Sequence, residues 1–310
     1  MTTTAPAIDV RGLRKHYGPI RAVDGVDLTI APGQVYALLG PNGAGKTTTV
    51  EILEGFRRRD EGEAQVLGMD PGTGSLAYRA RIGIAFQNSA TQELLSPREI
   101  LRFQAALYPA PMPPDEALAL AGLTEAADRR AGKLSGGQRR RLDLAAAVVG
   151  RPEVIFLDEP TTGFDPAARR QAWEVVRGLT SQGRTVLLTT HYLDEAEALA
   201  DRIGIIARGR IIAEGTMDEL RRHFGARTRI RWRHDADRMP QAESLPGAWA
   251  GEASREATGR VTLSTSEPYR DLRALLDWAV AAGLDDLPEL TITRPTLEDL
   301  YLELVGEEPS

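Results

Sequence analysis

The sequence predicts an α/β fold: a parallel-sheet core with an antiparallel β subdomain and a helical subdomain, followed by a small C-terminal α+β domain. Three observations predict it. Val35–Leu39, Val154–Leu157 and Val186–Thr190 are short apolar runs, the pattern of strands buried on both faces beneath helices. The first run ends at a glycine-rich turn, and the stretch between the first two holds helical signals. The 310 residues exceed one ordinary domain and fit a large domain with an appendage.

Each element has its own local reason. Residues 8 to 36 alternate between Gly12, Gly18, Gly25 and Gly33, as antiparallel strands with turns do. Ser96-Pro-Arg-Glu99 places serine at an N-cap, proline at the first helical position and glutamate three residues on, so a helix starts there. A second helix is expected over roughly 138–149. Ile203–Ala207 and Arg210–Ala213 flank Arg208-Gly209 as a tight hairpin, and Thr216-Met-Asp-Glu219 opens another capped helix. The main domain is expected to close near residue 224, giving domains 1–224 and 225–310. In the second, strands are expected at 227–233, 261–264 and 290–293, helices at 269–282 and 297–305, and irregular connections over 235–259, with Trp232, Trp249 and Trp278 as core or interface anchors.

Composition excludes several classes. With 42 % hydrophobic and 26 % charged residues the chain has ample material for a core. No apolar stretch approaches the roughly 20 residues that cross a bilayer, and Met1-Thr-Thr-Thr-Ala-Pro lacks a basic segment and an apolar signal core. A cytoplasmic location is the expectation. Zero cysteines excludes thiolate metal sites and cysteine nucleophiles. The net charge of −6 disfavours nucleic acid as a partner.

Three motifs carry chemistry. Gly40-Pro41-Asn42-Gly43-Ala44-Gly45-Lys46-Thr47-Thr48 contains G-x-x-x-x-G-K-[ST] between a buried strand and an apolar helix. Its backbone N–H groups suit phosphates, Lys46 the β- and γ-phosphate charge, Thr47 a Mg²⁺ ion, and the helix adds its positive end. Val154-Ile-Phe-Leu157 ends in Asp158 and Glu159, suited to the Mg²⁺ shell and to polarising an attacking water. Ser135, Gly136, Gly137 and Gln138 open a helix and form a second anion-binding surface.

With Leu134, those last residues read Leu-Ser-Gly-Gly-Gln, and here the sequence resembles the ABC ATPase family, whose motifs follow in order over residues 8 to 215. The resemblance implies ATP and Mg²⁺ as cofactors. It implies that Tyr17 stacks on adenine, that Gln87 touches Mg²⁺ and relays nucleotide state, and that His191 senses the γ-phosphate. It also implies that Gly163-Phe164-Asp165-Pro166 communicates across a head-to-tail dimer, with Phe164 where leucine is usual. Lys46, Glu159 and His191 are the expected catalytic residues, and Thr47, Gln87 and Asp158 the expected metal ligands. The tail Arg294-Pro-Thr-Leu-Glu-Asp-Leu-Tyr-Leu-Glu-Leu304 resembles that of ABC-2-type exporter ATPases, including the drug-resistance type. That resemblance implies an ATP-hydrolysing exporter motor, peripheral on the cytoplasmic face of the membrane, with a separate integral-membrane ABC-2-type permease and a second ATP-binding subunit in a homodimer. The alternatives are a soluble ABC ATPase acting on ribosomes or nucleic acid, and an importer motor.

Overall fold

A computed structural model describes residues 5–85, 93–224, 227–233, 253–256 and 258–306. The chain divides into two compact units, Met1–Met217 and Asp218–Ser310. In chain order the first contains β1 (Ile8–Tyr17), β2 (Ile20–Ile30), β3 (Val35–Leu39), α1 (Lys46–Leu53), β4 (Glu61–Val66), α2 (Leu76–Arg79), β5 (Ile82–Ala85), α3 (Pro97–Ala105), α4 (Pro114–Leu120) and α5 (Gly136–Val148). It continues with β6 (Val154–Asp158), α6 (Pro166–Ser181), β7 (Thr185–Thr190), α7 (Leu193–Leu199), β8 (Arg202–Ala207) and β9 (Arg210–Gly215).

The central sheet has the order β5-β6-β7-β3-β8-β9. Its pairings are parallel from β5 to β8, and β9 returns antiparallel. The apolar runs seen in the sequence are its middle strands: all of β3 and β7 is buried, and β6 is buried up to Asp158. The register Leu39↔Thr190 and Asp158↔Thr189 brings the carboxyl ends of β3, β6 and β7 to one sheet edge. Arg208 and Gly209 both have positive φ, 48° and 76°, as a two-residue hairpin matching strand twist requires.

A second sheet, β2-β1-β4, is antiparallel. Its core residues Ile8, Leu13, Val26 and Ile30 join Tyr36, Val50 and Phe156 in one hydrophobic cluster. Arg210 donates to Asp24 Oδ2 at 2.7 and 3.1 Å and ties β2 to β9; the guanidinium holds the Asp24 carboxyl below its usual range. The helical subdomain packs Leu101 of α3, Leu118 of α4 and Leu142 and Ala145 of α5 around its own cluster. The expected capping box at Ser96 is present: Ser96 Oγ accepts from the Glu99 amide at 3.3 Å, and Glu99 Oε2 accepts from the Ser96 amide at 2.8 Å.

The second unit contains α8 (Met217–His223), β10 (Thr228–Arg233), β11 (Ala253–Arg255), β12 (Arg260–Thr265), α9 (Pro268–Ala281), β13 (Thr291–Thr293) and α10 (Leu297–Gly306). Its antiparallel sheet has the order β11-β12-β10-β13. Arg221 of α8 donates to the Pro295 carbonyl at 3.0 Å within this unit. One expectation changes. The stretch read as irregular contains β11, whose pairing with β12 supplies order that its polar residues do not announce. Trp249 and Gln87 lie outside the described residues.

Trp232, fully buried with Ile230, Val261, Leu263 and Leu275, anchors this unit. Trp232→Ala is expected to lower the stability of the second unit by about 3–5 kcal/mol, read as a lower urea midpoint for its unfolding.

Candidate functional site

The loop between β3 and α1 is shaped by glycines that no other residue can replace. A methyl at Gly40 would run into the Ile206 carbonyl, and one at Gly45, which also has φ +106°, would run into the Ala22 carbonyl. Gly45 is the N-cap of α1 and supplies no side chain, so the first-turn N–H groups remain open to an outside acceptor. Pro41, Asn42, Gly43 and Thr47 are exposed, Thr48 is half-buried, and Ala44 is buried. Lys46 is only 5 % exposed. Its Nζ donates to the Gly40 carbonyl at 2.7 Å and the Pro41 carbonyl at 3.1 Å, bracing the loop from within. Burial lowers the ammonium pKa, and the charges of Glu159 and Asp158 work against that. A buried cation facing two carboxylates and a ring of amides suits a polyanion.

At the end of β6, the Thr189 hydroxyl donates to Asp158 Oδ1. The Glu159 amide in turn donates to the Thr189 carbonyl at 3.1 Å and to its Oγ1 at 3.2 Å. Glu159 has φ +48°, a left-handed conformation that strains a non-glycine residue by about 1–2 kcal/mol. The strain turns its carboxylate to a fixed address. Glu159 Oε2 accepts from Thr162 Oγ1 at 3.1 Å, and Glu159 Oε1 lies 3.0 Å from His191 Nδ1. Nδ1 engages the carboxylate, which leaves Nε2 as the ring's second hydrogen-bonding atom, able to serve an anion only as an N–H donor. The structure thus gathers Lys46, Asp158, Glu159 and His191 at one edge of the sheet.

Ser135, Gly136, Gly137, Gln138 and Asp165 form a second group. Ser135 Oγ accepts from the Gln138 amide at 3.2 Å, and Gln138 Oε1 accepts from the Ser135 amide at 3.0 Å, capping α5. A methyl on Gly136 would meet nothing within 4 Å, and one on Gly137 would lie 3.6 Å from Ala168 on α6. Asp165 Oδ1 accepts from the Ala167 and Ala168 amides at 2.9 and 2.8 Å, capping α6. Tyr17 stands exposed at the end of β1, with the Arg57 guanidinium 5.3 Å from its ring centre. Arg57 also donates to Glu51 of α1 at 2.6 Å, so this ring is tied to the helix that begins at Lys46.

Sequence reasoning missed two residues here. Thr189 bonds to both acidic positions, yet as a threonine in an apolar run it reads as a strand former. Glu54, at the end of α1, is 8 % exposed; burial, with the Asp158 and Glu51 charges adding, pushes its carboxyl up to about 8. Nothing in the sequence distinguishes it from a surface glutamate.

The ABC transporter family model matches residues 23–162, and a model described as the C-terminal domain of ABC transporter domain-containing protein-like chains matches residues 230–296. The daunorubicin/doxorubicin resistance ATP-binding protein DrrA of Streptomyces peucetius is 40 % identical over 312 residues, covering 98 % of this chain and 94 % of that one. The chain belongs to the ABC transporter ATP-binding family. It is an ABC ATPase. The Nod factor export ATP-binding protein I of Rhizobium sp. (strain N33) is 36 % identical, covering 97 % of this chain and 98 % of that one. Among solved structures, a dimeric ATP-binding cassette in a post-hydrolysis state with ADP and Pi matches with a TM-score of 0.61 and 25 % identity, covering 68 % of this chain and 98 % of that one. Among the described residues no helix is long and apolar enough to cross a membrane.

Glu54 gives the ABC fold a testable pH dependence. Its folded pKa of about 8 lies above the ordinary 4.5, so between those values the folded state holds a proton that the unfolded chain releases. Stability carried by this group is therefore lost as pH rises from about 4.5 to about 8. Glu54→Gln, which removes the titration, is expected to match the parent chain at the acid end and to become progressively more stable than it toward pH 8. Thermal melts across that range in EDTA measure the difference.

Proposed function

We propose that this chain is the ATP-hydrolysing motor of a membrane exporter, working as a head-to-tail dimer beneath a separate integral-membrane permease. Lys46 among the phosphate loop, Asp158 and Glu159 is the observation that carries hydrolysis. In this reading the loop amides and Lys46 hold the β- and γ-phosphates, and Tyr17 stacks on adenine. Glu159 orients and polarises the attacking water, and His191 holds the Glu159 carboxylate through Nδ1 while offering its other nitrogen toward the γ-phosphate region. Ser135–Gln138 of the second subunit close over the same nucleotide, and Asp165 sits at the dimer contact.

The oxygen donors present fit Mg²⁺, a hard cation that takes carboxylate and hydroxyl ligands. Asp158 and the exposed hydroxyl of Thr47 would hold it with Gln87, and when bound it neutralises phosphate charge. Asp158 is kept in place for this by the Thr189 hydroxyl.

Export and a permease are supported by relatives named for drug resistance and Nod factor export that cover almost the whole chain. They are also supported by a docking surface. A groove of roughly 360 Å³ is lined by Glu54, Phe56, Arg79, Gln104 and Tyr108. Phe56 of this lining is 61 % exposed, and Phe103 and Leu107, the residues just before the lining residues Gln104 and Tyr108, are 61 % and 65 % exposed. Exposed apolar side chains gathered around a groove mark a protein-docking site. A motor of this kind lies on the cytoplasmic face of the membrane, held by its permease.

Lys46→Ala is expected to abolish MgATP turnover; an unchanged rate in a clean preparation refutes the motor reading. Glu159→Gln should slow hydrolysis and trap the dimer, so that MgATP-dependent purification from detergent-solubilised membranes recovers a multi-spanning protein. Adding Phe103→Glu and Leu107→Glu should remove that protein while leaving the ATPase rate of the otherwise native chain unchanged. Recovery of ribosomal or DNA-bound material instead would overturn the exporter reading.

A further inference from the structure

Helices α6 and α7 are joined by a regular ladder. Arg169, Trp173 and Arg177 recur every four residues along one face of α6. Arg169 Nη1 donates to Asp194 at 2.6 Å, and its guanidinium lies 4.6 Å from the centre of the Tyr192 ring. Trp173 Nε1 donates to Glu195 Oε1 at 3.3 Å, and Arg177 Nη2 donates to the Ala198 carbonyl at 2.7 Å. The middle rung differs from its neighbours because it is out of water. Glu195 has no exposed surface, and Thr161, at 1 % exposure, donates its hydroxyl to the same Oε1 at 2.8 Å.

The position of this rung matters more than its strength. Thr161 lies two residues after Glu159 in the loop that leads to Asp165 and α6. Glu195 lies four residues after His191, whose ring packs 4.1 Å from that of Tyr192. One carboxylate oxygen thus binds the loop carrying Glu159, the helix begun by Asp165, and the helix that follows His191. A buried carboxyl is costly to keep, and burial indeed raises its pKa against the pull of its hydroxyl and indole donors. An apolar residue would pack here without that cost, but would join none of the three segments.

We propose that Glu195 is a positioning residue that locks the Glu159 loop to the His191 turn, so that α6 and α7 move as one body and ATP hydrolysis depends on the joint. The inference rests on the roles proposed above for Glu159 and His191. When the Asp165 end of α6 is displaced at the dimer contact, the ladder carries that displacement to His191, and the 3.0 Å contact between His191 and Glu159 forms or opens with it. Glu195 touches no phosphate in this scheme; it acts through Thr161 and through α7.

The test compares Glu195→Ala, Glu195→Gln, Thr161→Val and the double variant Thr161→Val/Glu195→Ala in the full chain, measuring kcat and KM for MgATP together with binding of a fluorescent ATP analogue. Misplacing a catalytic group by about 1 Å lowers turnover by roughly tenfold to a hundredfold. Glu195→Ala and Thr161→Val should each lower kcat within that range while KM and analogue binding stay within about twofold. The double variant should be no slower than the worse single one, because both cut the same joint. Glu195→Gln, which keeps an oxygen to accept both bonds, should restore most of the rate. Val26→Ala, a packing change in the β1–β2 core, serves as the stability control. If Thr161→Val leaves kcat unchanged, if the two effects multiply, or if kcat follows melting temperature as it does for Val26→Ala, the proposal is wrong. Glu159→Gln and His191→Ala run alongside: full turnover in those two variants would refute the catalytic roles themselves, a failure distinct from that of the joint.

Discussion

Parallel pairing of β3, β6 and β7 with their carboxyl ends aligned is the constraint on which the rest of the first unit depends. Leu39 faces Thr190 and Asp158 faces Thr189 across adjacent strands. Three loops therefore leave the sheet side by side: one carries Lys46, one Glu159 and one His191. None of these side chains is near another in sequence. Burial of the three strands on both faces fixes the register, since parallel strands in such a core have no solvent face to slide toward. Thr189 makes the alignment chemical as well as geometric. Its hydroxyl donates to Asp158 and accepts from the Glu159 amide, so the two acids are set by the strand beside them.

The site is assembled against the local preferences of its parts. Lys46 is buried, Glu159 is held at positive φ, and Glu54 and Glu195 are carboxyls out of water. Each opposes folding, and each is tolerable because the unit has a large apolar core whose burial offsets it. The cluster containing Ile8, Leu13, Val26, Val50 and Phe156 supplies that core, uniting the antiparallel and parallel sheets around α1. A destabilised site in a stable frame is the expected form of a catalyst whose groups must be in place before substrate arrives.

Much of this was legible in the sequence, for reasons that differ by residue. The phosphate loop announces itself because Gly40 and Gly45 meet steric demands that only glycine satisfies, and Lys46 follows at fixed spacing. Asp158 and Glu159 are legible because an apolar run ends in two charges. The capped starts of α3 and α5 are legible because Ser96 and Ser135 are side chains that serve amides within their own turn. What escaped depends on partners distant in sequence. Thr189 is important only through its register with Asp158, and Glu195 only because Thr161 and Trp173 converge on it from 34 and 22 residues away. The strand β11 is likewise made by β12 and not by its own residues. Local chemistry reads from sequence; convergence does not.

One short helix connects the two surfaces that the proposed function requires. α1 begins at Lys46 and ends at Leu53, with Glu54 as its C-cap, a span of about 12 Å at the helical rise. Its first turn faces the phosphate loop, and its last residues open on the groove lined by Glu54, Phe56, Gln104 and Tyr108. A helix is stiff along its axis, so its two ends cannot shift independently. The phosphate loop is bound to the amino end through Lys46 and the Thr49 hydroxyl, which donates to the Gly45 carbonyl at 2.8 Å. The carboxyl end is bound to α2 by Tyr78, whose hydroxyl donates to the Leu53 carbonyl, and the next residue, Arg79, lines the groove. In the proposed function, hydrolysis at one end and docking at the other share a rigid element, and Glu54, whose carboxyl burial pushes up to about 8, sits where that element meets the groove. A neutral carboxyl can donate as well as accept a hydrogen bond, which would give the proposed docking surface a polar contact without an unpaired buried charge.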